Sequence, residues 1–175
     1  MPYTDKLNCK IRRYRAYPLI KKLDNASDLV AKQIHTTFQR AYQIEAELIG
    51  TYNFPPLSRT VTHIQSSQTL FYGFYDDTQL AGVIELESND NQLEIDSLVV
   101  DPEHFRKGIA NRLMHFVLND FASTAPIKPT TIVVETAVVN EPAIRLYKKH
   151  DFVEFKRWTP EHGIEKLALI RSESA

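Results

Sequence analysis

Cysteine is almost missing from this 175-residue sequence, where Cys9 stands alone. A single thiol makes no internal disulfide and no thiolate cluster for zinc, which excludes a disulfide scaffold and a cysteine-held metal centre. No apolar run reaches the roughly 18 residues a membrane span needs. A secretory signal core is missing as well, because the first seventeen residues are rich in Lys, Arg and Tyr. The chain is therefore expected to be cytoplasmic. An excess of charge of one sign is also lacking: 21 Lys and Arg face 22 Asp and Glu, a net charge of −1. Nothing in that balance draws the whole chain toward nucleic acid or an anionic membrane. Apolar content of 43% and charged content of 25% are those of an ordinary globular protein. A domain of this size buries roughly 70% of its unfolded surface, enough for a true core.

One stretch organises the rest. Leu93 to Val100 is rich in β-branched and apolar residues and reads as a strand, stopped by Pro102. From Ile109 onward, Ile109, Leu113, Phe116 and Val117 fall on one helical stripe. Between strand and helix lie Phe105, Arg106, Lys107 and Gly108, a tight loop that presents backbone N–H groups and cations at a helix N-terminus. Such a place stabilises a phosphate.

The flanking segments supply the architecture. Residues 1–17 interleave Lys6, Lys10, Arg12, Arg13 and Arg15 with Tyr3, Tyr14 and Tyr17. This basic, aromatic extension reads as a surface segment or an extra edge strand; a grip on RNA or a phosphorylated partner is the alternative. A single domain then runs over 18–175. It opens with a short strand from Pro18 to Leu23, followed by a helix that Asn25 or Ser27 would cap. Val30, Ile34, Phe38, Ala41, Ile44 and Leu48 give that helix its apolar stripe, with Gln39, Arg40, Gln43, Glu45 and Glu47 on the polar face and Gly50 at its end. The prolines of Tyr52 to Leu57 force an aromatic loop. Thr69 to Tyr75 and Gln79 to Leu86 form a hairpin about Asp76-Asp77-Thr78, and the turn Ser88 to Asn91 leads into the central strand. Thr131 to Glu135 returns as a parallel strand beside it. Asn140 and Pro142 start a helix that ends at His150-Asp151, and strands at Val153 to Thr159 and Lys166 to Arg171 close the chain. The fold class is α+β: a mixed, mostly antiparallel sheet of about seven strands with helices on both faces.

Two segments resemble a known family. Pro102-Glu103-His104-Phe105-Arg106-Lys107-Gly108-Ile109-Ala110 is similar to the pyrophosphate loop of the GNAT superfamily of acyl-CoA-dependent N-acetyltransferases, Q/R-x-x-G-x-G/A. Asn140-x-x-Ala143-x-x-Leu146-Tyr147-x-x-x-x-Phe152 is similar to the family's later helix motif. Two positions depart from the pattern: Phe105 stands where the family has Gln or Arg, and Asp151 where it has Gly. The resemblance implies transfer of acetyl from acetyl-CoA, as co-substrate and with no metal, to a primary amine. Phe105, Arg106, Lys107, Gly108, Ile109 and Ala110 would cradle the pyrophosphate, and the backbone of Leu98, Val99 and Val100 would bind pantetheine and supply the oxyanion donor. Asn140 would contact the pantetheine arm or simply cap its helix.

The chemistry sets three demands. An amine with a pKa of about 10.4 is neutral in only about one molecule in two thousand at pH 7, so a proton must be removed. The thioester oxygen needs a donor as it gains charge, and the departing thiolate needs an acid. Tyr147 matches the family's acid. Glu94 matches the base of some relatives, with Asp96 and Glu85 as further carboxylates and a water chain as the alternative. Neither motif contains a cysteine, so direct attack in a ternary complex is preferred to an acetyl-enzyme. A small-molecule acceptor is expected, with a protein amine or a non-catalytic CoA-binding module as alternatives. An exposed last strand would suit a homodimer.

Overall fold

The fold is that of residues 20–172 in a computed structural model. The basic extension over residues 1–17 lies outside the described residues. Seven strands form one sheet in the order β1-β2-β3-β4-β5-β7-β6. In chain order they are β1 (Ile20–Leu23), β2 (Leu70–Asp76), β3 (Gln79–Asn89), β4 (Gln92–Val100), β5 (Thr131–Ala137), β6 (Val153–Trp158) and β7 (Lys166–Ser172). Every neighbouring pair is antiparallel except β4 with β5. That single parallel pair follows from the helical crossover between them, which a tight turn could not provide.

Helices cover both faces. α1 (Asp28–Ile49) and α2 (Val61–Ser66) lie on one, where Ile34, Phe38, Ile64, Phe71 and Val83 pack together. On the other, α3 (Ile109–His115) runs on through a π-helical segment (Phe116–Phe121) and a last turn, α4 (Ala122–Thr124). There Ile109, Leu113, Met114 and Val117 meet Leu86, Ile95, Ile132 and Val134, together with Tyr147 and Phe152 from α5 (Glu141–Lys149) and the turn after it. Gly82 lets α3 lie close to the sheet, since a Cβ there would come within 2.9 Å of Ile109 Cγ2. No described helix is long and apolar enough to cross a membrane.

Four sequence expectations need correction. α1 is one helix, and its buried face runs through Ala31, Ile34, Phe38, Tyr42 and Ala46 rather than out to Ile44 and Leu48, which are 42% and 50% exposed. A period of 3.6 starting from Ile34 and Phe38 reaches Tyr42 and Glu45, so Glu45, expected on the polar face, is half-buried. Ser27 occupies the N-cap of α1 without a side-chain bond to it, and Asn25 instead donates to the carbonyls of Ile64 and Ser67 at 2.8 and 3.1 Å. The edges of the sheet are β1 and β6, while the last strand, β7, is enclosed between β5 and β6.

Candidate active site

The centre of the sheet opens along one seam. β4 and β5 pair only from Gln92 with Thr131 to Ile95 with Val134. Beyond that point β4 continues to Val100 and β5 to Ala137 without pairing to each other. The sequence-expected pantetheine residues Leu98, Val99 and Val100 lie on this unpaired part of β4, held from the other side by Ile84, Val83 and Gly82 of β3.

A bulge marks the start of the opening. Glu85 faces Ser97 and Leu86 faces Ile95, which leaves Asp96 as the extra residue on β4. A bulge shifts the strand by one residue and reverses which side chains face which side. Leu93 and Ile95 thus pack under α3, whereas Ser97 and Val99 turn toward α1. Glu94, Asp96 and Ser97 all line a cleft of about 470 Å³, with Glu85, Glu135 and Lys166 from neighbouring strands and Tyr42, Pro56 and Arg59 from α1 and the loop after it. The expected pair Glu94 and Asp96 is therefore brought together, and Ser97 joins it through a bulge the sequence does not announce.

The cleft is strongly acidic. Glu85 is 1% exposed and fully partnered: Arg59 donates to its two oxygens at 2.6 and 2.7 Å, and Thr69 Oγ1 donates at 2.6 Å. Glu135 is paired with Lys166 at 2.7 Å. Glu87, Glu94 and Asp96 have oxygens within 4.8 Å of one another, the spacing a bound cation would take. None of the three forms an ion pair among the described residues. Asp96 stands at the exposed mouth of the cleft, where partial desolvation, followed by the charges of Glu85, Glu94 and Glu87, pushes its carboxyl up to about 7 against the opposing pull of Arg59. Desolvation, Glu135 and Glu87 raise Glu94 as well.

On the far side of the opening, Asn140 caps α5, its Oδ1 accepting from the Ala143 N–H at 3.3 Å. Its Nδ2 donates to Glu45 Oε1 on α1 at 3.0 Å. Tyr147 is 4% exposed and packs against Phe152, with ring centroids 5.9 Å apart. Burial, then the nearby Glu45 and Tyr42, hold its hydroxyl in the protonated form. Asp151 takes the left-handed conformation at φ 65°, doing at the helix end what a Gly would do.

The loop before α3 is tightly moored. Arg106 and Gly108 both have positive φ, 62° and 74°, and Gly108 is the N-cap of α3. Ile109 is buried beneath it, while Phe105 is 46% exposed. Asp101 accepts from the Glu103 N–H at 2.9 Å, and Arg40 of α1 pairs with Asp101 at 3.3 Å and with Glu103 at 2.8 Å. Lys107, expected to supply loop charge, is bound at 3.0 Å to Asp76, which also holds the buried His104 at 3.1 Å. Arg106 is exposed and enters no ion pair among the described residues.

Sequence reasoning missed Tyr42, Arg59 and the inward role of Glu45. The helical period continued from Ile34 and Phe38 points to Tyr42 and Glu45; the apolar but exposed Ile44 and Leu48 draw the stripe away from them.

Comparison with known proteins agrees with this architecture. Residues 51–169 match the family model described as "Acetyltransferase (GNAT) domain". The UPF0157 protein YqkA of Bacillus subtilis is 36% identical over 134 residues; the match covers 77% of this chain and only 38% of that longer protein. Among solved structures, PaiA N-acetyltransferase from Thermoplasma acidophilum, in complex with coenzyme A, superposes with a TM-score of 0.69 at 16% identity, over 89% of this chain and 98% of that one. Spermidine N-acetyltransferase from Vibrio cholerae, in complex with CoA and spermine, gives 0.66 at 19% identity, over 88% and 94%. The ribosomal-protein-S18-alanine N-acetyltransferase of Escherichia coli gives 0.66 at 15% identity, over 90% and 94%. These structural likenesses speak for the fold, the family model for more than half of the sequence: the chain belongs to the GNAT acetyltransferases.

Proposed function

We propose that this chain transfers acetyl from acetyl-CoA to the primary amine of a small cationic molecule, by direct attack in a ternary complex. The observation that carries the reading is the opening between β4 and β5, with an acidic cleft on one side and Asn140 and Tyr147 on the other. The backbone of Phe105, Arg106, Lys107, Gly108, Ile109 and Ala110 cradles the pyrophosphate, and the exposed Arg106 supplies the compensating charge, since Phe105 is apolar and Lys107 is bound to Asp76. The free edge of Leu98, Val99 and Val100 takes the pantetheine arm as a strand takes a neighbour, and one of its N–H groups faces the thioester oxygen.

The acceptor arrives as an ammonium ion, drawn by Glu87, Glu94 and Asp96. Asp96, poised near neutral pH, removes one proton, and Glu94 holds the cation close by. The freed nitrogen attacks the thioester carbon, the tetrahedral intermediate collapses and the C–S bond breaks. Tyr147 gives its proton to the leaving thiolate and recovers one from the amide nitrogen through solvent. A cleft of about 470 Å³ suits a compact amine better than a folded protein surface.

Tyr147→Phe tests the reading. Acetyl-CoA at about 100 times its Kd is expected to stabilise wild type and variant alike by roughly 2.7 kcal/mol, seen as a melting shift of several degrees. CoA release is expected to fall by about 100-fold or more in the variant. Unimpaired release would remove the acid role, and a wild type that binds but never turns over would leave a CoA-binding module.

A further inference from the structure

Tyr42 and Glu45 lie one turn apart on the buried side of α1, and each is bonded to a different wall of the opening. The Tyr42 hydroxyl donates to Ser97 Oγ at 2.9 Å, on the bulge of β4. Glu45 Oε1 accepts from Asn140 Nδ2 at 3.0 Å, three residues past the end of β5 and at the head of α5. One helical turn therefore spans the gap that the parting of β4 and β5 leaves.

Glu45 is an expensive residue to keep in that place. It is half-buried, and among the described residues its one hydrogen bond is to a neutral amide, with no ion pair. Partial burial of a carboxylate without a bonded cation weakens a fold rather than strengthening it. Beside the charge it places near Tyr147, its contribution is geometric. Asn140 caps α5, and Tyr147 lies seven residues further on, two turns down the same side of that helix. Whatever fixes Asn140 fixes the depth and rotation of Tyr147.

We propose that Glu45 is a positioning residue for acetyl transfer: through Asn140 it holds the first turn of α5, and with it Tyr147, at a set distance from the β4 wall. This rests on the reading above, in which Tyr147 protonates the departing thiolate. Tyr42 holds the opposite wall, so the width of the opening is determined by α1 rather than by the sheet.

Glu45→Gln and Glu45→Ala test this together. Gln keeps an oxygen that can accept from Asn140, whereas Ala keeps the helix but loses the acceptor. Two readouts are needed, one of them independent of turnover. The first is amide hydrogen exchange at Ala143 and Ile144, whose N–H groups bond to Asn140. Exchange there is expected to quicken by about tenfold in Glu45→Ala and to stay near wild type in Glu45→Gln. The second is CoA release with a saturating diamine. In Glu45→Ala kcat is expected to fall on the order of 10- to 100-fold with KM for acetyl-CoA within about threefold, while Glu45→Gln keeps kcat within about threefold. Equal behaviour of the two variants in both readouts, whether both retain or both lose them, overturns the proposal. A wild type without turnover in which Glu45→Ala still loosens the first turn of α5 supports the bond between α1 and α5 and removes the transfer reading instead.

Discussion

Asp96 and Ser97, adjacent on β4, reach into the same cleft, an arrangement that an unbroken strand forbids. The bulge at Asp96 makes it possible, and it also places the carboxyl among Glu85, Glu87 and Glu94.

Because desolvation in the cleft, and then that crowding of carboxylates, pushes Asp96 up to about 7, activity should depend on pH around neutrality. A base acts deprotonated, so kcat/KM is expected to rise about tenfold per pH unit below 7 and to level off above it. Asp96→Asn is expected to lose most of the rate together with this limb of the profile. Stability runs the other way. The folded-state carboxyl sits above its ordinary value of 3.8, so its favourable contribution is complete below about 4 and is lost as pH rises through about 7. Asp96→Asn should therefore melt higher than wild type at pH 8, with the gap narrowing toward pH 5. A gap that widens toward acid would contradict the assignment.

Arg59 is expected to matter first for stability. Its guanidinium meets both oxygens of a carboxylate that is 1% exposed and also lies over the rings of Phe38 and Phe71, at 5.4 and 5.6 Å. Arg59→Ala leaves Glu85 buried with Thr69 alone and should cost about 3–5 kcal/mol in urea unfolding. Adding Glu85→Gln should recover part of that loss, since a neutral side chain tolerates the site. A double variant no more stable than Arg59→Ala would show that the ring contacts, not the charge, dominate.

Two glycines near the seam should respond differently to alanine. At Gly108, with φ of 74° and no atom within 4 Å of where a methyl would stand, the cost is the left-handed backbone alone, about 1–2 kcal/mol. At Gly82 the methyl meets Ile109 Cγ2 at 2.9 Å and the Val99 carbonyl at 3.2 Å, so α3 must move, at about 1–3 kcal/mol. Calorimetric titration with acetyl-CoA should show weaker binding in both. Unchanged affinity in Gly108→Ala would detach the loop from the cofactor.

What the sequence revealed was written in local chemistry. Pro102, Gly108, Asn140 and Pro142 punctuate the chain where they stand, and the strands and helices beside them appear where expected. Elements that depend on distant partners were illegible. α2 is only six residues long, and its capping box closes through His63 on Thr60 rather than through a Glu or Gln. The inward turn of Glu45 was masked by Ile44 and Leu48, apolar residues that remain exposed. The bulge at Asp96 exists only in the register with β3, and the partner of Glu85 comes from a loop 26 residues earlier. Tyr147 was legible as a motif, but not as a side chain flanked by Glu45 and Tyr42.

The most direct measurement is release of CoA thiol from acetyl-CoA at pH 8 with two small acceptors of opposite charge, an aliphatic diamine and glutamate. An acidic cleft beside the seam should give saturable release with the diamine, at least about tenfold faster in kcat/KM than with glutamate. Release that favours glutamate, or none with any amine from a protein that acetyl-CoA stabilises, would contradict transfer to a cationic acceptor.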